Sequence, residues 1–178
     1  MDAERFAIRR AQEADMPAVG RLAATLVREH HELDPTRFLA FPEPIEPNYQ
    51  RYLTMEIHNP QAVLLVAVQP ATETGQEQVV GYAWGQMRGR DYMAMLDAGG
   101  CIQDVYVTPQ ARRKGVARAL LGAMVEALRG LGAQRIILHT AARNQAAQAF
   151  FHSLGFRPTM VEMMPEVTDG PRGSASRG

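Results

Sequence analysis

Apolar residues recur along this chain with two distinct periods. Val116, Ala119, Leu120, Ala123, Met124, Ala127, Leu128 and Leu131 fall at i, i+3, i+4, i+7, i+8, i+11, i+12 and i+15, which predicts a helix with one buried stripe. Gly130 and Gly132 end it. Val19, Leu22, Ala23 and Leu26 form a second stripe. That helix is expected to start at Asp15 as N-cap, carry Pro17 in its first turn and run to about His31. Tyr49, Leu53 and Ile57 predict another helix over Asn48 to His58. Ala147, Phe150, Phe151 and Leu154 predict a short fourth, with Gly155 as a left-handed cap.

Between the helices the period falls to two, or disappears into short apolar runs. Arg5 to Arg10 alternates and reads as an opening strand. Ala62 to Val68 and Val79 to Met87 read as a hairpin joined through a polar turn around Gly75. GRDYMAMLDAGG is an irregular linker, after which Cys101 to Val107 is a further strand. Arg135 to Leu138 follows the long helix. Cys101 to Leu138 is therefore a strand–helix–strand unit, whose two strands should run parallel. Phe156 to Met163 is expected to form a last strand. LDPTRFLAFPEPIEP carries four prolines and no period, so a loop is expected there. The fold class is α/β with a mixed sheet. One domain is expected over 1–167, with a Gly/Ser tail over 168–178 that lacks the apolar residues needed to order it.

Lys plus Arg and Asp plus Glu both number 19, so the net charge is zero. A nucleic-acid partner would require a basic excess that is not there. The single cysteine, Cys101, excludes an intrachain disulfide and with it a disulfide framework. No apolar run approaches the roughly 20 residues of a membrane span. The first residues have no signal-peptide character. The expectation is a cytoplasmic protein with no membrane contact.

Charge is balanced overall but not locally. In VYVTPQARRKGVARALL a strand stops at Thr108 and Pro109, and a basic loop leads directly into the long helix. The first turn of a helix has free N–H groups and the positive pole of its dipole. Basic residues at that pole oppose the dipole, so Arg112, Arg113, Lys114 and Arg118 point to a bound anion rather than a solvated turn. Gly115 lets the backbone approach that anion, and Ala117 keeps the next position small. Neither G-x-x-x-x-G-K-[ST] nor G-x-G-x-x-G is present.

Arg112-Arg113-Lys114-Gly115-Val116-Ala117 fits R-x-x-G-x-[GA]. With IQDVYVTPQARRKGVARALL before RIILHTAARN and AAQAFFHSLGF, the chain resembles the GCN5-related N-acetyltransferase (GNAT) superfamily over about sixty residues. The resemblance implies a mostly antiparallel central sheet with one splayed parallel pair and flanking helices. It implies acetyl-CoA as co-substrate and no metal. The pantetheine arm would pair with Val105, Tyr106 and Val107 on the splayed strand. The pyrophosphate would take N–H groups of Arg113, Lys114, Gly115, Val116, Ala117 and Arg118, at the loop opened by Arg112. Asn144 matches the asparagine that opens the short helix, and a helix N-cap explains it equally well.

The same resemblance implies attack of a primary amine on the thioester. The amine, of small-molecule, antibiotic or peptide type, must lose a proton. Two groups of the family pattern are missing. Phe151 stands where many members carry a tyrosine acid, and is left to pack on the pantetheine. Gln103 stands where some carry a glutamate base. Asp104 is the first candidate for base or ammonium anchor, with Tyr106 and His139 behind it. The acceptor is expected between Arg28 and Tyr52, with Trp84 and the linker at 88–99 opposite. Glu29, Glu32, Asp34, Glu43 and Glu46 make that segment attractive to a cation. His30 and His31 diverge as adjacent helical residues and do not form a metal site. A coenzyme-binding module without turnover is the alternative, and a homodimer stays open.

Overall fold

A computed structural model of the protein describes residues 6–38, 40–70 and 77–165. Its elements, in order, are β1 (Ala7–Arg10), α1 (Met16–Leu33), α2 (Ile45–Glu56), β2 (Ala62–Pro70), β3 (Glu77–Arg88), β4 (Gly99–Val107), α3 (Val116–Gly130), β5 (Ile136–Leu138) and α4 (Gln145–His152). The five strands form one sheet in sequence order. β1 to β4 pair antiparallel, and β4 pairs with β5 parallel. The expected mixed sheet is present, with its parallel pair across the strand–helix–strand unit.

The continuous apolar run of β2 has a simple cause, since both faces of the sheet are covered. Val63, Leu65 and Ala67 pack with Val116, Leu120, Leu121, Met124 and Leu128 of α3. Leu64, Val66 and Val68 point the other way and pack with Met16, Val19 and Ala23 of α1 and Leu53 of α2. The result is three layers, helix pair, sheet and helix. α3 lies close on the sheet because Gly85 has no side chain: a Cβ there would meet Met124 Sδ at 2.8 Å. No helix among the described residues is long and apolar enough to cross a membrane.

Several expectations need correction. Asp15 stands at the N-cap of α1, but its side chain makes no capping bond to the helix. It takes the Arg9 guanidinium at 2.7 and 2.9 Å and the Gln12 N–H at 2.8 Å instead. Burial opposes the charge on Asp15, yet these partners hold its carboxyl below the usual range. α2 starts at Ile45, three residues before the expected Asn48. Pro47 is tolerated because the first turn of a helix does not use its N–H.

Phe156 to Met163 is not a strand. Met160, Val161 and Met163 are 75%, 74% and 84% exposed. Pairing there would bury no apolar face, and β5 is only three residues long. Gly155 does hold a left-handed φ of 87° after α4. The turn at Gly75 and the tail at 168–178 lie outside the described residues.

Candidate functional site

Pairing between β4 and β5 covers Gly100↔Ile136, Cys101↔Ile137 and Ile102↔Leu138, and stops there. On its other edge β4 carries a bulge. The register against β3 moves from Gly85↔Ile102 to Trp84↔Asp104, so Gln103 has no partner across. A bulge bends the strand that carries it. Residues 103–107 thus part from the chain beyond Leu138, and a gap opens between parallel neighbours. Thr108 N–H bonds Val80 O on β3. By strand alternation, the backbone groups of Val105 and Val107 face away from β3. This is the expected splay.

An open cleft of about 290 Å³ occupies the gap. Ile102, Gln103, Asp104 and Val105 of β4 form one wall, and Leu138, His139 and Thr140 another. Asn144, Ala147 and Phe151 of the α4 region close one end. Leu26, Val27 and His30 of α1 close the other, with Arg37, Phe38, Phe41 and Tyr49.

At the other end of the splay lies the basic loop. Arg113 and Gly115 have positive φ, 62° and 85°. Gly115 is the N-cap of α3, with no side-chain cap and no acidic residue in the first turn. The first intrahelical bond runs from Ala119 N–H to Gly115 O, so the N–H groups before it have no helical acceptor. A Cβ at Gly115 would meet nothing within 4 Å. Arg113, Lys114 and Gly115 are exposed, Val116 is buried in the core and Ala117 is half-buried. Backbone donors, an open approach and positive charge fit a pyrophosphate.

Two of the arginines have protein partners. Arg112 Nε donates to Val107 O at 3.0 Å, and its guanidinium lies over the Tyr106 ring, 5.5 Å from the centroid. Its other end reaches Glu29 at 3.5 Å. Arg112 therefore braces the turn to the strand end. Arg118 donates to Ser153 Oγ at 3.1 Å and ties α3 to the end of α4.

Among the catalytic candidates, Asp104 and His139 reach the cleft and Tyr106 does not. Tyr106 is buried on the α1 side, where its hydroxyl donates to Glu29 at 3.0 Å. Asp104 accepts from Tyr82 OH at 3.0 Å. Burial pushes its carboxyl up to about 6, while the Tyr82 hydrogen bond and the nearby His30 work in the opposite sense. Asn144 caps α4, accepting from Ala147 N–H at 3.0 Å, and also lines the cleft. Phe151 lines it as an apolar ring.

The acceptor side differs from expectation. Trp84 is buried edge-to-face with Tyr52, their ring centroids 5.4 Å apart, and neither it nor the linker lines the cleft. Four of the five acidic residues named in the α1–α2 region face arginines, Glu43 and Glu46 on Arg28, Asp34 on Arg143 and Glu29 on Arg112, and the fifth, Glu32, is exposed. Among the described residues, Asp104 is the one acidic residue in the cleft wall. Tyr49 stays a neutral phenol beside it, since burial and then the Asp104 charge push its pKa up.

Sequence reasoning missed Tyr82 and His30. His30 had a readable signal, because it continues the Val19, Leu22, Ala23, Leu26 stripe by four residues and must face inward. Tyr82 had none beyond its place in a strand. Among the described residues no cluster of three or more His, Cys, Asp or Glu could hold a metal ion.

Comparison with known proteins bears on the family and the fold. The Acetyltransferase (GNAT) family matches residues 26–156. A mycothiol acetyltransferase of a Nocardioides species is 32% identical over 96 residues, covering 52% of this chain and 32% of that protein. N-alpha-acetyltransferase 30 of Schizosaccharomyces pombe is 34% identical over 67 residues, covering 38% and 39% respectively. The chain thus spans only about a third of the length of the curated relatives it matches. A Bacillus halodurans protein superposes with a TM-score of 0.72 at 20% identity, covering 90% of this chain and 99% of that one. An aminoglycoside N-acetyltransferase in complex with CoA superposes with 0.67 at 16%, covering 92% and 95%. At such identities these superpositions establish the fold.

Proposed function

Since the chain belongs to the acetyltransferase (GNAT) family, we propose that it transfers an acetyl group from acetyl-CoA to a primary amine, by direct attack in a ternary complex. The observation that carries the reading is the coincidence of three features on one strand. β4 ends at the basic loop, loses its parallel partner beyond Ile102, and turns Asp104 into the same cleft.

Each part of the chain has a task in this scheme. The N–H groups from Arg113 to Arg118 hold the pyrophosphate at the positive pole of α3. Backbone groups of Val105 and Val107 align the pantetheine arm, and an N–H of the splay stabilises the oxyanion as the carbonyl is attacked. Phe151 packs on the arm and moves no proton. Asn144 fixes the start of α4 beside it. Asp104 meets the acceptor: above about pH 6 its carboxylate is charged, and an ammonium answers a charge held away from water.

No side chain in the tyrosine position protonates the leaving group. A thiolate is a competent leaving group without such help, so this loss is compatible with turnover. His139 lines the cleft just past β5 and can relay protons with solvent.

The direct test mixes protein, acetyl-CoA and a panel of primary amines and follows free thiol. Release that depends on a particular amine is expected. Saturable acetyl-CoA binding without release for any amine would favour a binding module instead. Stronger thermal protection by ATP or NAD than by CoA would overturn the coenzyme assignment.

A further inference from the structure

We propose that His30 is the catalytic base, taking a proton from the acceptor ammonium through Nε2 while Asp104 holds that ammonium in place; the inference rests on the acetyltransferase reading above.

Three observations support it. The Nδ1 atom of His30 lies 2.8 Å from Leu26 O, one turn earlier in α1. A carbonyl oxygen only accepts, so Nδ1 carries the hydrogen. Neutral His30 is therefore held as the tautomer whose lone pair sits on Nε2, and one ring rotation is fixed by the same bond. The ring is also braced edge-on against Phe38, with centroids 5.1 Å apart.

Second, His30 and Asp104 line one cleft from different elements, α1 and β4. They are near enough that the histidine charge favours ionisation of the Asp104 carboxyl. Third, His30 is in the last turn of α1. That turn is the negative pole of the helix dipole. The other titratable or charged groups of the cleft wall are Arg37 from the α1–α2 loop, Tyr49 from α2 and His139 after β5. Arg37 is ion-paired with Glu162, and Tyr49 is held neutral.

The proton bookkeeping closes. Nε2 takes one proton from the ammonium bound at Asp104. The freed amine nitrogen forms a C–N bond to the thioester carbonyl carbon, and the C–S bond breaks. A second N–H proton leaves with the sulfur as the thiol, and His30 returns its proton to water. This gives His30 the task for which the Gln103 position has no carboxylate.

The experiment compares wild type, His30→Gln and His30→Ala with the amine found active in the thiol assay. Both variants are expected to bind acetyl-CoA with wild-type affinity, which also reports that they fold. Both should lose about 100-fold or more in kcat, within the usual range for a positioned base. KM for the amine should move by less than about threefold, because Asp104 remains. Added imidazole should restore turnover to His30→Ala and not to wild type. Wild-type kcat in either variant, or a loss confined to KM, would overturn the proposal. Nitrogen NMR of histidine-labelled wild type supplies a separate check: a neutral His30 with its proton on Nε2 overturns it as well. Wild type that binds acetyl-CoA but acetylates no amine removes the underlying acetyltransferase reading, and the base with it.

Discussion

The Tyr82 hydroxyl donates to Asp104 Oδ2 at 3.0 Å, from a side chain fully buried on β3. Two opposite effects meet in this pair. Burial disfavours the Asp104 carboxylate, and the hydrogen bond from Tyr82 favours it. Burial wins, and the balance holds Asp104 about two pH units above an exposed aspartate. Tyr82→Phe removes the favourable part alone. The acidic limb of the pH dependence of kcat/KM, expected near pH 6 in wild type, should shift to higher pH. Stability above that limb should drop by about 1–3 kcal/mol, because a buried acceptor loses its donor. A limb that stays in place would separate Asp104 from catalysis.

Asp104→Asn tests the acceptor site itself. kcat/KM for the amine should fall about 10- to 100-fold, as for loss of a charge-assisted hydrogen bond. Acetyl-CoA affinity, measured by calorimetric titration, should be unchanged, and the contribution of Asp104 to the acidic limb should be lost while that of the base remains.

The same substitution has a stability signature of definite sign. Asp104 titrates higher in the folded chain than at its ordinary value of 3.8. Between about pH 4 and pH 6 the folded state binds more protons than the unfolded one, so this residue makes stability fall as pH rises. Below about pH 4 the effect is absent. Asp104→Asn should therefore melt higher relative to wild type above pH 6 than below pH 4, a comparison that thermal scans at two pH values decide.

Gly115 separates backbone strain from ligand binding. Its φ of 85° disfavours any L side chain, although a Cβ there meets nothing. Gly115→Ala should cost about 1 kcal/mol of stability. Gly115→Asp adds negative charge to the anion site and should weaken acetyl-CoA binding about tenfold or more, readable by titration. Equal affinity in the aspartate variant would remove the loop from the coenzyme site.

Leu128→Ala tests the frame rather than the site. Leu128 is fully buried in the α3 face of the core, so its truncation should cost about 3–4 kcal/mol in chemical denaturation. Acetyl-CoA affinity at temperatures where the variant is folded should stay within about twofold.

What the sequence by itself determined was local and periodic. The α3 stripe from Val116 to Leu128, the apolar run of β2 and the glycine at 115 each express a constraint carried by neighbours in the chain: helical repeat, two-sided burial, left-handed backbone. The order of strand, basic loop and helix then pointed to an anion site, and the family resemblance to the coenzyme proposed there. Tertiary structure decided everything that depends on residues far apart. It spent Glu29, Asp34, Glu43 and Glu46 on arginines, removed Tyr106 to the α1 side, and left Phe156 to Met163 without a partner strand. It also brought His30 and Asp104, from a helix and a strand, to a single gap, with Tyr82 of a second strand bonded to Asp104 behind it. No local pattern encodes such a meeting, because it depends on a β4 bulge, a short β5 and the packing of α1 against β3 and β4.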